Sequence, residues 1–217
     1  EMRRPKRRVT MDRERVKSSR IFISYRREDS DIWVARLVDE LRKHFPSGQI
    51  FQDIASIDPG ADFVTALEEA LAIIENGMFG LAFSSGVAAT DAVIKLLSPG
   101  DEVICGNDMY GGTYRLFTKV FEKFGVKFHY IDLTSTENIK KYINSNTKLI
   151  WLETPTNPLM NISDIAAITA MVKGKNILVG VDNTFASPYL QNPLDHGADI
   201  VMHSSTKYLG GHSDVIQ

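Results

Sequence analysis

Three apolar runs in the second half of the chain, TKLIWLE, NILVGVD and ADIVM, constrain the fold more than any other feature. Each is short, rich in β-branched residues and apolar at successive positions, the mark of a strand buried in a parallel sheet. GDEVI, upstream, is a fourth run of the same kind, and GLAF before it reads as a fifth. The pattern between them is helical: a Ser-Ser-Gly turn opens GVAATDAVIKLL, which ends at Pro99-Gly100. Strands alternating with helices predict an α/β protein with a parallel sheet, whose ligands bind beyond the carboxyl ends of the strands. The residues past those ends are therefore the candidate site. They are Tyr110 and Arg115 around a Gly-Gly turn, Asn157 in a Pro-rich loop, Asp182, and then Ser204, Thr206 and Lys207.

The chemistry of this set is specific, although single members have plainer readings. Tyr110 also suits a surface loop, Asp182 also suits a helix N-cap, and Ser-Ser-Gly turns are common in α/β proteins. At Ser84-Ser85-Gly86-Val87, unsatisfied N–H groups at a helix N-terminus suit a phosphate, and glycine lets the backbone approach it. A lysine just after an apolar strand, flanked by hydroxyls and glycines, is unusual for a solvated charge. Partial burial would lower its pKa and make it a good amine for a Schiff base. A carboxylate to keep a pyridine nitrogen protonated and an aromatic to stack on the ring complete what pyridoxal 5'-phosphate requires.

Beside this reading stands a resemblance. The strings FSSGVAAT, GDEVI, YGGTYRLF, WLETPTNP, VDNTFASPYLQNPLDHGADIV and SSTKYLGGHSD resemble, in order and spacing, the cofactor domain of the Cys/Met-metabolism pyridoxal-phosphate enzymes. That family includes cystathionine γ-synthase, cystathionine γ-lyase, cystathionine β-lyase and methionine γ-lyase. The resemblance covers residues 73–217 and implies a three-layer α/β/α transferase-like fold of type I. It implies that Lys207 bonds the cofactor and moves protons on the substrate's α and β carbons, and that Tyr110 stacks on the ring. It also implies Asp182 at the pyridine nitrogen and Asn157 near the phenolic oxygen. The phosphate falls to the backbone of Gly86 and Val87 and the hydroxyls of Ser204 and Thr206, and Arg115 lies near the substrate. The implied function is transsulfuration of a sulfur amino acid or an activated homoserine, by a homo-oligomer assembled from dimers. The family's N-terminal arm, and its C-terminal domain with the carboxylate-gripping arginine, have no counterpart in residues 1–217. Impaired turnover is the expectation.

The first 72 residues read differently. EMRRPKRRVTMDRERVKSSR is basic, nearly without apolar residues and broken by Pro5, and is expected to be a disordered leader. IFISY and IFQDI read as short strands, IWVARLVDELRKHF as an intervening helix and FVTALEEALA as a second helix. FISYRRED and DIASIDPGADF resemble the first half of a bacterial TIR domain, a flavodoxin-like module that signals by assembly or cleaves NAD. The stretch 21–72 lacks the later half with its glutamate, and Glu68 and Glu69 read as solvated charges. A TIR-type signalling or NAD-cleaving module is the alternative function, and a recombined reading frame in which neither half works is a third. The join falls near Ala72, because ALEEALAIIENG suits both parents with Leu67 and Leu71 on a buried face.

Composition excludes several classes. A net charge of -2 gives no general case for nucleic acid or an anionic membrane. No apolar run approaches the roughly 20 residues of a membrane span. The single Cys105 cannot form an internal disulfide, which fits a reducing, cytoplasmic setting. His196, His203 and His212 lack metal-ligand spacing, and no Gly-x-Ser-x-Gly elbow surrounds Ser84 or Ser204. Met109 and the phenylalanines of LFTKVFEKFGVKF are expected in the core.

Overall fold

The computed structural model describes residues 21–23, 50–52 and 63–210. The chain divides into two compact units, Glu1–Phe63 and Val64–Gln217. In the first, β1 (Ile21–Ile23) and β2 (Ile50–Gln52) pair in parallel, with Ile21 opposite Ile50. The basic leader, the expected helix over 32–45 and all but the last residue of the expected loop over 55–63 lie outside the described residues.

The second unit follows helix α1 (Phe63–Ile74) and helix α2 (Gly86–Ile94) with a five-stranded parallel sheet. Its strands are β3 (Glu102–Gly106), β4 (Lys127–Ile131), β5 (Thr147–Glu153), β6 (Leu178–Asp182) and β7 (Ile200–Met202), in the order β4-β3-β5-β6-β7. Helices α3 (Gly111–Lys119), α4 (Thr136–Lys140) and α5 (Ile165–Val172) make the crossovers, and the short α6 (Ser187–Leu190) leads into β7. Strand order reverses between β3 and β5, which opens a crevice at their carboxyl ends.

The strands are apolar at successive positions because both faces are covered. Ile104, Ile150, Leu152, Val179 and Val181 pack with Ile139 of α4 and Ile165, Ile168 and Val172 of α5. The alternate residues Val103, Cys105, Leu149, Trp151 and Met202 pack with Ile94 of α2 and Phe117 of α3. The result is three layers, α/β/α. Met109, Phe117, Phe121 and Phe128 join the core as expected, whereas Phe124 is exposed at the end of a 3-10 turn over Phe121–Phe124.

Two expectations are corrected. GLAF forms no strand: residues 78–83 pair with no sheet, and the segment lies against α1 instead. A Cβ on Gly80 would fall 2.0 Å from the Glu68 carbonyl oxygen, and the Ala82 N–H donates to Glu68 Oε1 at 2.7 Å. Glu68 is thereby a half-buried acceptor for the segment rather than a solvated charge, while Glu69 is exposed. Leu67 and Leu71 are half-buried, as the helical pattern requires.

Candidate active site

Two strand ends organise the site. Asp182 closes β6, is buried, and stands beside Glu153, the register partner that closes β5. Asp182 caps no helix. Its Oδ1 accepts the Thr184 hydroxyl at 2.5 Å and the Thr184 N–H at 3.0 Å. Burial pushes its carboxyl above the ordinary range, while Thr184 and the charge of His203 pull it back. The same Thr184 Oγ1 accepts the Ser204 N–H at 2.9 Å, so the ends of β6 and β7 are tied at the candidate residues.

Ser204 in turn meets the start of α2. A Cβ on Gly86 would come within 2.9 Å of Ser204 Cβ, an approach that only glycine permits. Ser85 caps α2, its Oγ accepting the Ala88 N–H at 3.1 Å. That leaves the N–H groups of Gly86 and Val87 outside the intrahelical ladder, at the positive end of the helix. The backbone of Gly86 and Val87 and the hydroxyl of Ser204 are thus neighbours.

Glu153 gathers the other side. It is buried, and its carboxylate accepts the Tyr110 N–H at 2.7 Å and the Asn157 N–H at 2.8 Å. Burial, with the Asp182 charge adding to it, raises its pKa to about 7 against the two backbone donors. Tyr110, 43% exposed, precedes α3 and lays its ring over Gly112, where a Cβ would be 2.3 Å from Tyr110 Cε1. Tyr110, Asn157, Asp182, Ser204 and Gly86 are therefore linked through Glu153 and Thr184, two residues that the sequence reading did not single out. Glu153 had a signal, an acid at a strand's carboxyl end inside WLETPTNP, as Asp182 has in VDNTF.

Lys207, Thr206 and Arg115 are placed less tightly. Lys207 follows β7 in a turn, its N–H donating to the Ser204 carbonyl at 3.0 Å. The expected partial burial is not found: among the described residues Lys207 is exposed, because β7 is the sheet's edge strand and no described strand lies beyond it. Thr206 is half-buried in the same turn. Arg115 is exposed on α3 and turns back along it, its Nη1 lying 3.4 Å from where a Gly111 Cβ would stand. A separate polar recess lined by Asn107, Asp108, Asp132, Thr134, Leu159 and Asn161 includes none of these residues.

The sequence profile described as Cys/Met metabolism PLP-dependent enzyme matches residues 60–217. The chain belongs to this family. Among its relatives, the probable cystathionine gamma-synthase of Herpetosiphon aurantiacus is 52% identical over 152 residues, 70% of this chain and 48% of that protein. The cystathionine gamma-lyase of Bacillus subtilis is 51% identical over 70% of this chain and 40% of its own length. The crystal structure of metB from Corynebacterium glutamicum superposes with a TM-score of 0.69 at 53% identity, covering 70% of this chain and 40% of that one. The chain thus spans less than half the length of these relatives. Membership in the Cys/Met metabolism family implies pyridoxal 5'-phosphate as cofactor. The residues present fit that group. The Gly86–Ser204 contact leaves a cradle of backbone N–H and hydroxyl donors for an anion, and a buried carboxylate, Asp182, stands one strand away for a cation. Among the described residues no cluster of His, Cys, Asp or Glu is placed to hold a metal ion, and no helix is long and apolar enough to cross a membrane.

Proposed function

We propose that the second unit binds pyridoxal 5'-phosphate at the carboxyl ends of β3, β5, β6 and β7 and acts in transsulfuration, on a sulfur amino acid or an activated homoserine. The observation that carries this reading is the Asp182–Thr184–Ser204 link, which sets a buried carboxylate and a phosphate cradle on adjacent strand ends. Bound there, the cofactor supplies an electron sink for bonds at the substrate's α-carbon. Gly86, Val87, Ser204 and Thr206 would hold its phosphate, Asp182 would keep a proton on its ring nitrogen, Asn157 would lie near its phenolic oxygen and Tyr110 would stack on the ring. Lys207 would hold it covalently through Nζ and would move protons on the substrate's α and β carbons. Arg115 lies on the substrate side. The names of the relatives support the substrate class, and the Lactobacillus plantarum cystathionine gamma-lyase structure, determined as a complex with L-serine, at 52% identity and a TM-score of 0.69, supports an amino acid as ligand.

The domain organisation belongs to the same proposal: a leader over 1–20, a TIR-like segment over 21–72 and the cofactor domain over 73–217, with α1 common to both parents. The unit division at Phe63 and the family match from residue 60 both fall at or just before this helix. The parallel pairing of β1 with β2 favours a second reading for the first unit, a flavodoxin-like TIR segment. Consumption of NAD by the purified chain would support a catalytic form of it. A cytoplasmic homo-oligomer without nucleic-acid or membrane partners completes the proposal.

The test is spectroscopic. Purified protein titrated with pyridoxal 5'-phosphate develops a visible absorption band that survives gel filtration, and Lys207→Ala does not. Identical spectra for the two proteins would overturn the assignment of Lys207.

A further inference from the structure

Behind the candidate site lies a buried polar cluster that none of the proposed roles uses. Parallel register places Asp182 opposite Met202, and one residue on, the Asn183 N–H donates to the Met202 carbonyl at 2.9 Å. Side chains alternate along a strand, so Asp182, Thr184, Met202 and Ser204 face the α2 layer, where Ser204 meets Gly86 and Met202 joins the Trp151 cluster. Asn183 and His203 point the other way. There both reach one atom, Glu75 Oε1, just past the end of α1: His203 Nε2 lies 2.5 Å from it and Asn183 Nδ2 2.8 Å. Glu75 and His203 side chains are 7% and 8% exposed. Asn192 Nδ2 donates to Glu75 Oε2 at 3.3 Å and to the Ile74 carbonyl at 3.0 Å. Gln191 Nε2 donates to Asn183 Oδ1 at 2.9 Å and to the Thr154 carbonyl at 3.0 Å, extending the cluster to the loop after β5.

We infer that Glu75 and His203 are positioning residues that set the spacing between the β6 and β7 ends, and hence between Asp182 and Ser204. The inference rests on the cofactor reading of those two residues. Asp182 addresses one end of a rigid planar ligand and Ser204 the other, so a change in their separation weakens the grip on the whole ligand more than the grip on either part. Thr184 bridges the two strand ends on the ligand face, and Glu75 Oε1 bridges them on the reverse face. With both clasps in place the ends cannot splay. Burial gives the reverse clasp its strength, because removing Glu75 takes the acceptor from the His203 ring in a dry site and leaves the Asn183 amide only the Gln191 carbonyl, at 2.9 Å.

The test uses the full chain, with Glu75→Gln, Glu75→Ala and His203→Gln, and three readouts. These are the dissociation constant for pyridoxal 5'-phosphate by absorption titration, the dissociation constant for inorganic phosphate by competition, and the thermal midpoint without ligand. Glu75→Gln keeps the shape and one acceptor oxygen, so it is the variant expected to fold if Glu75→Ala does not. The expected result is a loss of about tenfold or more in cofactor affinity for Glu75→Ala and His203→Gln, with phosphate affinity within about twofold and Glu75→Gln between. Unchanged cofactor affinity overturns the inference. So does a parallel loss of cofactor and phosphate affinity that tracks the thermal midpoint, which marks a merely structural pair. A wild-type chain that shows no Lys207-dependent absorption fails at the earlier step and overturns the cofactor reading itself, together with this one.

Discussion

Glu153 is the residue whose environment does most to set the behaviour of the site. Its ordinary carboxyl pKa of 4.5 is raised to about 7, chiefly by burial and then by the Asp182 charge. Between those values the unfolded chain has released this proton and the folded chain retains it. Stability therefore falls as pH rises from 4.5 to about 7, by up to about 3 kcal/mol from this group, and levels off above. Glu153→Gln is expected to flatten that slope in urea titrations of the ligand-free protein across pH 5 to pH 8. It should also be about 1 kcal/mol less stable than the wild type near pH 5, since an amide accepts only one of the Tyr110 and Asn157 N–H groups, and more stable than it near pH 8, where only the wild type bears the cost of a buried charge. An unchanged slope would show that Glu153 is ionised in the fold throughout. Gly112 gives a second prediction at this scale. Its missing Cβ is the space that the Tyr110 ring occupies, and alanine there would push the ring off its present place. Alanine also favours the helix by about 1 kcal/mol over glycine, so the fold does not suffer. Gly112→Ala is expected to leave the thermal midpoint level or higher while weakening cofactor binding about three- to tenfold, as read by absorption titration.

Among the elements, β5 and β6 form the centre of the second unit, and their fit depends on Gly180. A Cβ there would sit 3.0 Å from Trp151 Cε3 and 3.2 Å from Cζ3, and Trp151 is fully buried with no room to retreat. Gly180→Ala would gain strand propensity but must force the indole or the backbone aside, so a net loss of about 1–3 kcal/mol in urea unfolding is expected. A stabilised variant would mean that the layer over Trp151 yields. The strands were legible in the sequence because a strand covered on both faces needs apolar side chains at successive positions, and TKLIWLE and NILVGVD have them. GLAF is also apolar but has no β-branched residue and forms no strand: it pairs with neither edge of the sheet, and Gly80 takes the backbone against Glu68. Several candidate ligand residues were legible for a similar reason, since Asp182 ends a strand and Tyr110, Asn157, Ser204, Thr206 and Lys207 follow one by a few positions. Glu153 carried the same signal as Asp182, an acid at a strand's carboxyl end, whereas Thr184 lay among them without a chemistry of its own to mark it. The Glu75–His203 pair joins residues 128 positions apart, and neither neighbourhood bears a pattern that names the other.

For the whole molecule, the decisive question is whether the second unit, from Val64 onward, behaves as a ligand-linked folding unit. The chain has two tryptophans, Trp33 and Trp151. Trp33→Phe therefore leaves Trp151, buried between Phe117 and the β5–β6 ladder, as a reporter of that unit within the full chain. Its emission should be blue-shifted in the fold and move to longer wavelength on unfolding. A ligand that binds only the folded form stabilises it by RT ln(1 + [L]/Kd), about 2.7 kcal/mol at a hundredfold excess over Kd. For a unit of this size that corresponds to a rise of about 5–10 °C in the Trp151 transition. Pyridoxal 5'-phosphate should produce that shift. Pyridoxal at the same concentration, which lacks the phosphate that we propose Gly86, Val87 and Ser204 hold, should produce a much smaller one. Equal shifts would place the binding energy in the ring and aldehyde and remove the phosphate cradle from the argument. No shift with either would separate the fold of this unit from its family's cofactor, leaving the Asp182–Thr184–Ser204 link as architecture alone.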